Sequence, residues 1–202
     1  MGVRRKLKTA GLSRTGARTP SWTSRTRNAW REWYEAKGPV LIFVLKFGFL
    51  ILLFYAILST TLCDRALYRY LQANAWLSNI ILNWSGHHTQ AADITIRSPV
   101  FAMALRRGCD AVEPTFLLCS AMLAFRSSIG RKALGMLVGA LVFQLLNLVR
   151  IVSLFWIGIH FPNLFNPIHM EIWPTLFILI GAVIFVAWKD WDAHGFQPPA
   201  TA

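Results

Sequence analysis

Leu145-Leu146-Asn147-Leu148-Val149-Arg150-Ile151-Val152-Ser153-Leu154-Phe155 lies within an apolar run from Ala133 to about Ile159. The run is long enough to cross a bilayer, whose hydrocarbon core needs about 20 apolar residues. Gln144, Asn147, Arg150 and Ser153 recur every three residues inside it. On a helix that spacing draws a slowly drifting polar stripe along one side. An arginine so deep in such a run costs ~2.5–3.5 kcal/mol at mid-membrane, less toward the interface. Two readings follow from the residues alone: a packing stripe whose arginine snorkels outward, or a cation kept for a site.

The rest of the chain supports a membrane setting. Of its 202 residues, 55% are hydrophobic, above the ~45–50% of soluble domains, and the excess sits in a few long runs. Pro39 to about Leu58 is a first span, carrying Lys46 within it. Ala111 to Phe125 is a short second span. The run from Ala133 is the third, with Gly135 and Gly139 spaced for close helix approach. Ile172 to about Trp188 is the fourth. Residues 64–84 recur near helical spacing but are interrupted by Asp64, Arg65, Arg69, Gln72, Asn74 and Asn79, which predicts an amphipathic helix at the membrane surface. Alternation around Ile94 and Ile96, followed by Ser98-Pro99, predicts a short hairpin. The expected fold is an all-α integral membrane protein. It has about four transmembrane helices, an extracytoplasmic amphipathic helix and a short β-hairpin. Residues 1–37 form a basic cytoplasmic tail, disordered through 31; 38–190 form the membrane domain and 191–202 a polar tail.

Charge orients the spans. Residues 1–37 hold ten Lys/Arg against Glu32 and Glu35, out of a whole-chain net charge of +12. Beside a span such a tail is a cytoplasmic anchor, next to anionic lipid, rather than a nucleic-acid surface. Trp30, Trp33 and Tyr34 fit the interface. The basic loop Arg126–Lys132 is cytoplasmic by the same rule. Residues 60–108 and the loop His160–Met170 then lie outside. Cys109, Arg150 and His169, far apart in sequence, fall at one membrane depth.

Those three side chains define a chemistry. Cys109 sits in Arg106-Arg107-Gly108-Cys109-Asp110-Ala111-Val112-Glu113-Pro114, at the start of the second span. A helix start and the two arginines favour a thiolate. Asp110 opposes it, and forms a capping-box pattern with Glu113; Glu113 followed by Pro114 at the first helical position is the other N-terminal signature. Arg150 supports the thiolate or an oxyanion, and His169 is the general base. Glu171 is in place to orient His169 or pair with Arg150. Asn147, Glu113 and Arg107 are supporting residues. Cys63 lies on the same side, so a Cys63–Cys109 disulfide competes, as does a thiol-oxidoreductase reading. Cys119, inside the second span, reads as packing. The adjacent His87-His88 reads as solvated loop rather than metal site, and no cofactor is expected. A non-catalytic membrane assembly or transporter subunit is the rival from another class.

Cys109 ahead of one span, Asn147-Leu148-Val149-Arg150-Ile151 within the next and His169 ahead of the last together resemble the exosortase/archaeosortase family. The runs 108–113 and 145–155 are most similar to its exosortase H branch. The resemblance covers roughly residues 40–188. It implies a membrane-embedded cysteine peptidase or transpeptidase whose Cys/Arg/His site maps to Cys109, Arg150 and His169. The implied partners are secreted proteins with a C-terminal sorting signal of the PEP-CTERM type: a short motif, a transmembrane helix and a basic cluster. The implied location is the bacterial inner membrane, with the N-terminus cytoplasmic and the site on the periplasmic side. Many members place Ser-Gly or Asn-Gly after the cysteine, where this chain has Asp110-Ala111.

Overall fold

The computed structural model describes residues 22–194, with side chains from residue 37 onward. Two units partition the chain, Met1–Leu41 and Ile42–Ala202; every site discussed below lies within the second. The disorder expected for 1–21 and the polar end 195–202 fall outside the described residues. The interfacial aromatics Trp30, Trp33 and Tyr34 fall where side chains are not described.

Helix α1 runs Trp22–Leu58. The disorder expected for 22–31 is therefore corrected. No Gly or Pro interrupts 22–37, and extending an existing helix by one residue adds a hydrogen bond without a new nucleus. Among the described residues, three segments are long and apolar enough to cross a membrane: Lys37–Leu58, Ile129–His160 and Pro162–His194. Val44, Leu45, Phe49, Leu52, Leu145, Val149, Ile178 and Val183 are exposed along them. So much exposed apolar surface is untenable in water and marks a membrane protein. The expected second span, Ala111–Phe125, becomes α3, Val112–Ala124. Its thirteen residues reach only about 20 Å at ~1.5 Å per residue, short of the ~30 Å hydrocarbon core.

Helix α4, Ile129–His160, is the shared wall of the molecule. Leu154 and Phe143 face one core, with Ala111, Leu118 and Met122 from the α3 segment and Phe177 and Trp188 from α6, Trp173–His194. Ile151 and Phe155 face a second core, with Leu71, Ala75 and Leu82 of α2 and Ile96 and Leu105 of the sheet segment. Helix α2, Thr61–Trp84, is the amphipathic helix expected from residues 64–84. Thr60 caps it through its hydroxyl oxygen on the Cys63 N–H. Its buried stripe, Leu67, Leu71, Asn74, Ala75, Ser78 and Leu82, lies against protein.

The expected hairpin is one strand larger. β1 (Gln90–Ala92), β2 (Thr95–Arg97) and β3 (Ala102–Ala104) form an antiparallel meander, with Ala91 opposite Ile96 and Ile96 opposite Met103. The first turn places Asp93 at φ 61°. Its carboxylate accepts from Tyr68 Oη at 2.5 Å and Gln72 Nε2 at 2.7 Å, tying the sheet to α2. β1 is small and polar, without the β-branched residues that signal a strand.

The loop expected over His160–Met170 is helical except at Phe161. Pro162 opens the short α5, Pro162–Pro167, at a first position where a missing N–H costs nothing. Pro167 offers no N–H to the α ladder, and the next turn, Ile168–Ile172, is a π turn. The Trp173 N–H then reaches back to Ile168 O.

Close packing seats α4 through glycines. A Cβ at Gly135 would stand 2.4 Å from the Trp188 indole, and one at Gly139 would stand 2.6 Å from Leu118. Trp188 cannot retreat easily, because its Nε1 donates to Arg131 O at 3.1 Å and its ring meets Phe125 and Phe185. Gly135→Ala should destabilise the protein by about 1–3 kcal/mol. Gly48→Ala, with nothing within 4 Å, should be neutral. Thermal midpoints of the two variants in detergent check this contrast.

Candidate active site

The nucleophile candidate is carried on a short loop between sheet and helix. The Cys109 N–H closes a turn onto Arg106 O at 2.9 Å. Gly108 has φ 89° and Ala111 has φ 54°. The first is easy for glycine; the second costs an L-residue about 1–2 kcal/mol and is held by burial of Ala111. Asp110 is buried between them, and its Oδ1 accepts the Val112 N–H at 3.2 Å. Both cap patterns read from sequence are corrected. Ala111, not Asp110, is the N-cap, and Pro114 is the third helical residue. There, too, an N–H would have lacked an intrahelical partner.

Cys109, Arg150 and His169 come together. Cys109 Sγ lies 3.4 Å from His169 Nε2 and 3.9 Å from Nδ1. Arg150 is only 4% exposed. It donates through one terminal nitrogen to Gly108 O at 2.9 Å and through the other to His169 O at 3.4 Å. Its guanidinium carbon stands 5.8 Å from the centre of the Phe177 ring, a cation–π distance. One cation on α4 thus holds the backbones of both the thiol loop and the histidine turn.

His169 is oriented by an aromatic ring. Phe165, one turn earlier, stacks on it at 5.7 Å and 11°. Glu171 is exposed, and its side chain reaches neither His169 nor Arg150. The sequence hides Phe165, because the prolines at 162 and 167 make its segment look like a loop. On a helix, positions four apart share a face.

The supporting residues divide. Asn147 is fully buried one turn before Arg150, and its Nδ2 donates to Asn74 Oδ1 at 3.3 Å. Its side chain makes no hydrogen bond to any of the three. Glu113 is exposed on the first turn of α3. Arg107 pairs with Asp64 of α2, both side chains about half exposed, so it ties the loop to α2. The three cysteines are free thiols, and the competing Cys63–Cys109 bridge is not formed. Among the described residues no group of three His, Cys, Asp or Glu is placed to hold a metal ion.

The electrostatics reverse one expectation. Burial pushes the Cys109 thiol above its ordinary pKa. Arg150 pulls it down, as does the main-chain hydrogen bonding of Arg106 to the sulfur, and nearby Asp110 pushes it up. Arg106 and Arg107 are exposed, and solvent screens such charges. The resting group is therefore a thiol, which needs a base to become a nucleophile, and the imidazole stands in hydrogen-bond reach. Burial also raises the Asp110 carboxyl, against the pull of the Val112 N–H and then of Arg150 and Arg107.

Comparison of the chain with protein-family models, curated proteins and solved structures returns no match. The reading of the site rests on its own geometry.

That geometry sets the pH response of the thiol. In a Cys63→Ser, Cys119→Ser background, alkylation of Cys109 should reach half its maximal rate above pH ~8.5, the usual free-cysteine value. Arg150→Gln should move the midpoint higher still. Rates measured from pH 6 to 11 (about the titration range of a buried thiol) check both directions.

Proposed function

We propose that the chain is a membrane-embedded cysteine peptidase or transpeptidase, of the kind its resemblance to exosortases implies. Its substrates are secreted proteins ending in a short motif, a transmembrane helix and a basic cluster. The observation that carries the proposal is the 3.4 Å approach of Cys109 Sγ to His169 Nε2, with both backbones held by buried Arg150. The resemblance implies the bacterial inner membrane with the site periplasmic, and the charge pattern supports a cytoplasmic N-terminus with the site on the opposite face.

The chemistry proceeds in two acyl transfers. His169 takes the Cys109 proton as sulfur attacks the scissile carbonyl, forming the C–S bond. Arg150 lies beside the sulfur and offsets the negative charge that develops there. The tetrahedral species collapses to a thioester, the C–N bond breaks, and the leaving amine takes the proton from the His169 imidazolium. An incoming amine or water then gives its proton to His169 and attacks the thioester. Cys109 leaves as the thiol, and the product is a new amide or a free carboxylate.

Arg150 also weighs against a non-catalytic subunit. That reading has the arginine facing lipid or a partner, far from the cysteine. Its burial and its bond to the carbonyl preceding Cys109 favour a site.

Cys109→Ala should abolish cleavage of a co-expressed, tagged secreted substrate while leaving the abundance of the protein unchanged. His169→Ala should slow cleavage by at least about 100-fold. Mass spectrometry of the substrate's mature C-terminus reads both, and separates a free carboxylate from a transferred amine. Undiminished cleavage by Cys109→Ala would sink the proposal.

A further inference from the structure

We propose that Tyr70 is a positioning residue for Cys109, acting through the carbonyl of the next residue; the inference rests on Cys109 being the nucleophile. The carbonyls on either side of the cysteine are both held. Arg150 of α4 holds Gly108 O at 2.9 Å, and the hydroxyl of Tyr70, on α2, holds Asp110 O at 3.0 Å. Cys109 is thereby bracketed by two helices that sequence separation does not suggest as partners.

The hydroxyl has a competitor. Tyr70 Oη also contacts Gln144 Oε1 on α4. The orientation of that amide follows from its neighbours. Asn74 Nδ2 donates to Tyr70 O at 2.9 Å, which leaves Asn74 Oδ1 as the acceptor for Gln144 Nε2 at 2.8 Å and Asn147 Nδ2 at 3.3 Å. With its nitrogen so engaged, Gln144 turns its oxygen to Tyr70. A phenol carries one proton, and here two carbonyl oxygens face it. The proton goes to Asp110 O and fixes the thiol loop, or to Gln144 Oε1 and frees it.

The buried polar stripe of α4 therefore has a use beyond joining helices. It sets how strongly α2 grips the nucleophile loop. Removing the competing acceptor tightens the grip, and removing the hydroxyl releases it. A purely structural network would respond the same way to both losses.

The test uses the full chain in detergent, with iodoacetamide alkylation of Cys109 in the Cys63→Ser, Cys119→Ser background beside cleavage kinetics. Tyr70→Phe removes one oxygen. It should slow alkylation and lower kcat by about tenfold, the scale of one hydrogen bond, with KM unchanged. Gln144→Leu should alkylate and cleave at least as fast as the parent. Wild-type alkylation in Tyr70→Phe would overturn the inference. So would slowed alkylation in Gln144→Leu, which stands as an independent test should Tyr70→Phe fold poorly. Persisting cleavage in Cys109→Ala would instead remove the peptidase reading, while the alkylation rates would still report on Tyr70.

Discussion

A guanidinium buried in an apolar bundle must find its hydrogen-bond acceptors within the protein. Arg150 finds two, and both are main-chain carbonyls: Gly108 O in the loop before α3 and His169 O in the turn before α6. Much of the molecule's arrangement follows from that requirement. The loop must end close enough to α4 to present a carbonyl, and the chain must return after His160 to present another. The cost of placing a cation there is met by ordering two segments that would otherwise meet only apolar side chains. The same bonds bring a thiol and an imidazole into contact.

The two cores explain why α4 can serve this purpose. Phe143 and Leu154 bind it to α3 and α6, while Ile151 and Phe155 bind it to α2 and the sheet. Arg150 lies beside Ile151, at the seam between those faces, with Asn147 one turn away continuing the seam toward Asn74 and Gln144. Polar groups gathered along a seam find partners, as Gln144 Nε2 and Asn147 Nδ2 do in Asn74 Oδ1, although Asn147 Oδ1 and Arg150 Nε stay unpaired. Scattered over lipid-facing positions they would have no partners. The exposed faces of α4 are accordingly apolar, at Leu141, Leu145 and Val149.

How much of this was legible depended on the kind of signal each feature leaves. Arg150 was conspicuous because a charge in an apolar run is costly, and Cys109 and His169 were conspicuous once topology put them at its depth. The thiol's protonation is not legible in the sequence. Burial is a tertiary property, and the adjacent Arg106 and Arg107, obvious in sequence, are exposed, with Arg107 paired to Asp64. The helix through 162–172 was masked by Pro162 and Pro167, residues that usually interrupt helices; one begins α5 and the other precedes the π turn. Tyr70 lies within the stretch 64–84, whose spacing predicts a helix and gives its hydroxyl no partner. Its hydroxyl acquires meaning from Asp110 and Gln144, which lie 40 and 74 residues away.

The π turn at Ile168–Ile172 carries a consequence for how the histidine's aim is encoded. A π turn holds one residue more than the α turn it replaces, and each residue of an α-helix advances about 100° around the axis. The direction of His169 relative to α6 is thus written in a residue count between Pro167 and Trp173, apart from the contacts of its ring. Lineages of this chain would tolerate exchange of side chains such as Met170 there more readily than the loss of one position. A single deletion would restore a regular helix while swinging the imidazole away from the sulfur. The segment behaves as a ruler whose length, more than its composition, keeps the two reactive groups facing.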